Sequence, residues 1–277
     1  MRLKLSAIAM VCVLSLVPSL AQASILEGAL TNGDNQLNDV DREQLINNVG
    51  APNIIDIGDV LEAVLLFDNI NNANGNQLLS AFPGLQGLTA YSKIEVTGKT
   101  FISNALGYAF TFKGAFANGD AIQVYESSTL NTPSDFDSGG VAGNIADATD
   151  GNLLFTLNLA GAGDYWEALG TDNLLLLSVA KPVTFNFGVS ISSNPGNVPI
   201  VLNSQESSPG VFHDVIGNGT VFPIPPNSPA NGWQAASDTT VQFAAEVVPE
   251  PASMLAWAGI LACAASYGVK VRRKLRA

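Results

Sequence analysis

From Leu88 onward, apolar and polar residues alternate with a period of two, the spacing of a strand with one buried face. Lys93 to Thr97, Tyr108 to Phe112, Ala121 to Tyr125, Leu153 to Leu159, Val183 to Ile191 and Thr239 to Ala245 follow it. Leu174 to Val179 is a continuous apolar run, which predicts a strand buried on both faces. Asn118-Gly119-Asp120, Asp150-Gly151-Asn152, Asn194-Pro195-Gly196 and Gly217-Asn218-Gly219 predict turns. The stretches Leu130 to Asp150 and Pro223 to Pro229 read as surface loops. Before Asn76 the spacing lengthens. Val40, Leu45, Ile46 and Val49 predict one helix, capped by Asp39 or Asp41 and ended at Gly50; Ile57, Val60, Leu61, Val64, Leu65 and Phe67 predict a second. The pattern therefore predicts a mainly β chain. A β-sandwich or jelly roll would fill residues 77–248, after a helical segment at 24–76 that can stand as a subdomain.

The two ends have a different pattern. Arg2 and Lys4 precede an apolar run from Leu5 to Leu16, and Ala21-Gln22-Ala23 forms a small-residue cleavage site. Residues 1–23 thus read as a secretory signal that signal peptidase removes after Ala23, leaving Ser24 first. At the other end Pro249-Glu250-Pro251 leads into eighteen uncharged residues, 252–269. That length suits one membrane span. Lys270, Arg272, Arg273, Lys274 and Arg276 follow in the basic tail 270–277, which the positive-inside rule places in the cytoplasm. The body between is then translocated. Pro249 and Pro251 keep the strip before the span extended, open to a protease at the membrane surface.

Val-Pro-Glu-Pro-Ala-Ser, a span and an Arg-rich end resemble the PEP-CTERM sorting signal of exported bacterial proteins, over residues 248–277. The resemblance implies passage through the Sec translocon, recognition by an exosortase-like membrane protease, cleavage near the motif, and a host that makes exopolysaccharide. It implies a protein anchored by its C-terminal helix, then surface-bound or released.

Composition narrows the chemistry. Of the 24 acidic and 12 basic residues, 23 acids but only Arg42, Lys93, Lys99, Lys113 and Lys181 lie in the body. Such a surface repels nucleic acid and anionic lipid. Cys12 and Cys263 both lie in the ends, so the body has no disulfide, thiolate nucleophile or thiolate-bound zinc. His213 is the single histidine and reads as a surface or turn residue; the adjacent Asp214 would face the opposite side of a strand and cannot orient it.

Three candidate sites remain. Asp34, Asn38 and Asp41 lie in an oxygen-rich stretch, Asn32 to Asp41, that partly follows a calcium loop, so calcium is the one cofactor the sequence admits. Tyr165, Trp166 and Trp233 can stack on sugar rings if exposed. Asp164, Glu167, Glu95 and Glu126 supply carboxylates for a glycosidase pair. With no catalytic set legible, the expected role is non-enzymatic: a structural or adhesive component of the exopolysaccharide matrix. A carbohydrate-binding module and a polysaccharide hydrolase are the alternatives.

Overall fold

Alternate residues of the first strand, Asn35, Leu37, Asp39, Asp41 and Leu45, are buried, the signature of a strand with one inward face. The computed structural model describes residues 26, 29–47, 49–72, 87–127, 140–178, 181–224 and 232–246, all within one compact unit, 24–247. The signal at 1–23, the motif 249–251, the span 252–269 and the basic tail lie outside them. Among the described residues no helix is long and apolar enough to cross a membrane.

Twelve strands account for most of the described chain: β1 (Gly33–Ile46), β2 (Val60–Asn72), β3 (Leu88–Ser103), β4 (Gly107–Gly114), β5 (Asp120–Glu126), β6 (Asn152–Asn158), β7 (Tyr165–Gly170), β8 (Val183–Ser193), β9 (Gln205–Ser208), β10 (Val211–His213), β11 (Val215–Pro223) and β12 (Ala235–Ala245). A helix, α1 (Gly140–Ala148), lies between β5 and β6. Ten strands form one antiparallel sheet in the order β11-β12-β1-β2-β3-β4-β7-β8-β6-β5, and β9 and β10 form a separate hairpin. Two further pairings, β11 with β8 and β3 with β5, join the sheet to itself. The expected two-layer sandwich is thus corrected to a closed barrel, which leaves no free edge along the ring.

The closure is unusual in one wall. β3 pairs with β5 over Leu88 to Ser92 and with β4 from Ile94 to Ser103. β8 pairs with β7 over Thr184 to Gly188 and with β6 from Ser190 to Ser193. The two long strands thereby hold two stacked strand pairs, β4/β7 and β5/β6, between them.

The helical reading of 24–76 is corrected too. Both segments are strands of the main sheet, so they do not form a separate subdomain. β1 misleads because Asp39 and Asp41 occupy inward positions, which hides the period of two. β2 misleads because Val64, Leu65, Leu66 and Phe67 are all buried. Leu65 and Phe67 enter the main core, while Val64 and Leu66 pack outward against Ala148 and Trp233 under α1. A strand covered on both faces and a broad helical stripe read alike.

Two other segments depart from the pattern. Leu174 to Val179 is not a buried strand: Leu174–Leu176 is a 3-10 turn with Leu175 74% and Leu176 60% exposed. Gly217-Asn218-Gly219 is not a turn but the middle of β11, opposite Phe187, Asn186 and Phe185 of β8. A Cβ on Gly217 would meet Phe187 Cζ at 2.2 Å, and one on Gly219 would meet Phe185 Cζ at 2.4 Å. The glycines admit rings that stack beside Trp166, with Phe187 4.7 Å and Phe185 6.3 Å from it between centroids.

On the outer face of β2, Trp233 Nε1 donates to Asn144 Oδ1 of α1 at 2.9 Å, both residues being buried. Trp233→Phe removes that donor from a dry contact and is expected to destabilise the fold by about 1–3 kcal/mol. An unchanged urea midpoint would remove this bond from the account of why α1 docks.

Candidate functional site

β1 carries three acids on its inward face, Asp39, Asp41 and Glu43, spaced by two residues. They sit where the ladder to β12 is interrupted: Val40 pairs with Asp238 and Glu43 with Ala235, with no paired residues between. Carboxylates fill the seam. Asp39 Oδ1 accepts the Thr239 N–H at 2.8 Å, and Asp41 Oδ1 accepts the Ser237 N–H. Asp41 Oδ2 also accepts from Thr239 Oγ1 at 3.3 Å, and Glu43 Oε1 accepts from Ser237 Oγ at 2.6 Å. Asp39 Oδ2 is buried with no hydrogen-bond partner among the described residues.

The surroundings are apolar. A cavity of about 40 Å³ is lined by Asp41 and Glu43 together with Leu65, Phe155, Trp166, Phe187 and Phe243. An adjoining cavity of about 60 Å³ shares Glu43, Ala63, Ser92, Trp166 and Phe185 with the first and adds Phe110 and Phe112. Glu43 is half-buried and lines both. Each cavity holds water-sized occupants, not a sugar ring.

This setting favours neutral acids. Burial pushes the Glu43 carboxyl up to about 8, and the neighbouring Asp41 charge adds to the rise. Burial likewise pushes Asp41 up, to about 6, although hydrogen bonds from Ser237 and Thr239 oppose it. Asp39 is raised well above the usual carboxylate range, first by burial, then by Asp41. Glu43 has fewer donors than Asp41, which is why it rises further. The arrangement pairs a proton donor, Glu43, with a more acidic acceptor two residues away.

The residues singled out by the sequence fall elsewhere. Trp166 is 8% and Trp233 3% exposed, so neither offers a face to a sugar; the expected glycan contact through them is corrected. Both are core residues, Trp166 inside the barrel and Trp233 beneath α1. Tyr165 is half-buried on the outer side of β7. The calcium set Asp34, Asn38 and Asp41 is also corrected. Asp34 is exposed and Asn38 faces outward to Thr240 Oγ1, while Asp41 points into the barrel, so the extended strand separates them onto opposite faces. Among the described residues no cluster of three His, Cys, Asp or Glu side chains can hold a metal ion.

The expected surface histidine is instead fully buried. His213 ends β10 and lies against the outside of the barrel over Gly188 of β8. Its Nδ1 is 3.1 Å from Asp164 Oδ1, and its Nε2 is 2.9 Å from Ser207 Oγ on β9. The adjacent Asp214 does not orient it, as the sequence led us to expect: that carboxylate accepts the backbone N–H groups of Ile191 at 2.7 Å and Asn203 at 2.6 Å. Sequence reasoning had grouped Asp164 with Glu167. The Asp164 side chain is buried beside His213, whereas Glu167 is exposed on β7.

The chain matches no family model and no curated protein sequence. Solved structures similar to it include the following two. One is described as a nonspecific heme-binding cyclase that catalyses a (4 + 2) cycloaddition during neoabyssomicin biosynthesis: 12% identity over 90% of this chain and 84% of that one, TM-score 0.30. The other is the Diels Alderase AbmU from Streptomyces koyangensis, with 11% identity over 88% of this chain and 86% of that one, TM-score 0.29. Both are described as enzymes, against the non-enzymatic role expected of this chain. At this similarity neither their reaction nor their heme passes to this chain.

Proposed function

We propose that this chain is an exported protein, sorted through its PEP-CTERM-like tail, whose barrel works outside the cytoplasmic membrane beside the host's exopolysaccharide. The observation that carries the reading is the order of features at the two chain ends: a cleavable signal, then at the far end Pro249-Glu250-Pro251, an uncharged run and five basic residues. Within the barrel, the Asp41 and Glu43 pair supplies a buried proton donor and acceptor against an aromatic wall, suited to a small uncharged molecule.

Replacing Pro249, Glu250 and Pro251 with alanine is expected to leave the chain uncut and membrane-held, whereas the native protein loses its basic tail. Fractionation and mass measurement of the mature C-terminus check this. The same C-terminus and location for both chains would overturn the sorting reading.

A further inference from the structure

We propose that Ser207, His213 and Asp164 form a nucleophilic site on the outer wall of the barrel that cleaves uncharged esters through an acyl-serine intermediate. Ser207 and His213 lie 6 residues apart on the β9–β10 hairpin and Asp164 lies 49 residues before His213; their order, Asp then Ser then His, is immaterial, because such a site is defined by geometry and roles.

The geometry assigns the roles. Asp164 Oδ1 faces His213 Nδ1 at 3.1 Å, and both side chains are buried, at 1% and 0% exposed. The carboxylate is itself held: its Oδ2 accepts the Gly161 N–H at 2.6 Å, and its Oδ1 accepts from Ser190 Oγ at 3.1 Å. An acceptor-only group at Nδ1 places the ring proton there. Nε2 is left with its lone pair toward Ser207 Oγ, 2.9 Å away. Ser207 is exposed, so the nucleophile meets solvent while its base and the orienting acid do not.

Two further contacts fix the imidazole. A Cβ on Gly188 would stand 2.6 to 2.8 Å from Cδ2, Nε2 and Cε1, so the ring lies flat on that backbone. Tyr165 meets the ring edge-on with centroids 5.5 Å apart. A hairpin tether alone needs only one of these bonds; an aligned acid, base and hydroxyl with the hydroxyl outermost is what acyl transfer needs.

In the proposed reaction, Ser207 Oγ attacks the ester carbonyl carbon while His213 Nε2 takes the hydroxyl proton. The tetrahedral adduct collapses, the bond to the leaving oxygen breaks, and Nε2 returns that proton to the departing alkoxide. Water then attacks the acyl-serine with Nε2 again accepting a proton, the bond to Ser207 Oγ breaks, and the acid is released with the serine restored. The formal charge of −12 disfavours anionic substrates, which points to esters uncharged in both their acyl and alcohol parts.

The test uses the full-length chain, a fluorophosphonate probe and p-nitrophenyl acetate. The expected result is one adduct, mapped to Ser207, and ester turnover that falls at least about a hundredfold in Ser207→Ala and Asp164→Asn. Ser207 is exposed, so Ser207→Ala is expected to keep the native melting curve and remains decisive even if Asp164→Asn folds poorly. Absence of an adduct at Ser207 in folded protein, or undiminished hydrolysis by Ser207→Ala, would overturn the proposal and leave the three residues as a hairpin anchor.

Discussion

Phe187→Ala is expected to remove about 3–5 kcal/mol of stability, the range for deleting a buried phenyl ring. Phe187 is 1% exposed, stacks on Trp166 and fills the space over Gly217. Truncation would enlarge the cavity beside Glu43, because both the ring and the indole line it. Gly217→Ala attacks the same contact from the other side: its Cβ would sit 2.2 Å from Phe187 Cζ, an overpacking expected to cost about 1–3 kcal/mol. The two changes should not add. With the ring gone, the alanine methyl fills vacated space, so the double variant should be more stable than the sum of the singles predicts. Urea midpoints of the four proteins decide the matter. Strict additivity would mean that the ring does not rest on Gly217 in solution.

The second large effect is on pH. Glu43 is held at about 8 in the fold, by burial and by Asp41, against an ordinary value of 4.5. Between those values the folded protein keeps a proton that the unfolded chain has lost, so stability falls as pH rises from about 4.5 to 8 and levels off beyond. Asp41, raised to about 6 from 3.8, acts in the same sense over a lower window. Asp39 adds to it, raised by burial, by Asp41 and by Asp238. Glu62 opposes: burial pushes it up, but hydrogen bonds from Tyr91, Gln44 and Lys93 leave it lowered, so its contribution is lost at low pH. The Glu43 part amounts to roughly 2–5 kcal/mol, at about 1.4 kcal/mol for each tenfold change in proton affinity. Glu43→Gln keeps the shape and hydrogen bonds of the neutral acid. The variant should match the native protein near pH 4.5 and exceed it at pH 8. Parallel stability curves would show that Glu43 is ionised in the fold.

The strands after Leu88 were legible because their inward residues are apolar and their outward ones polar. Lys93 to Thr97 lies in β3 and Thr239 to Ala245 in β12, as their alternation predicts. The first two strands were not, for opposite reasons. β1 puts acids where apolar residues are expected, and β2 is apolar and buried on both faces from Val64 to Phe67. Nor was the closure into a barrel legible, since it rests on which strands pair, not on what each strand is. The acid row could have been seen as Asp39, Asp41 and Glu43 at alternate positions, but only once β1 is read as a strand. Ser207, His213 and Asp164 carry no local signal: a bond between residues 49 positions apart appears only in the folded chain.

The seam between β1 and β12 bears on time as well as stability. It pairs Gly33 with Ala245, almost the whole described length apart, whereas β2 with β3, β3 with β4 and β5 with β6 are near neighbours. Contacts so distant in sequence form late and slowly. On the proposed export route the amino end crosses first, so β1 must wait, with one edge unpaired, until the last strand has cleared the translocon. The chain would therefore remain open throughout transit and close only when the tail reaches the membrane, which ties completion of the fold to arrival of the sorting segment.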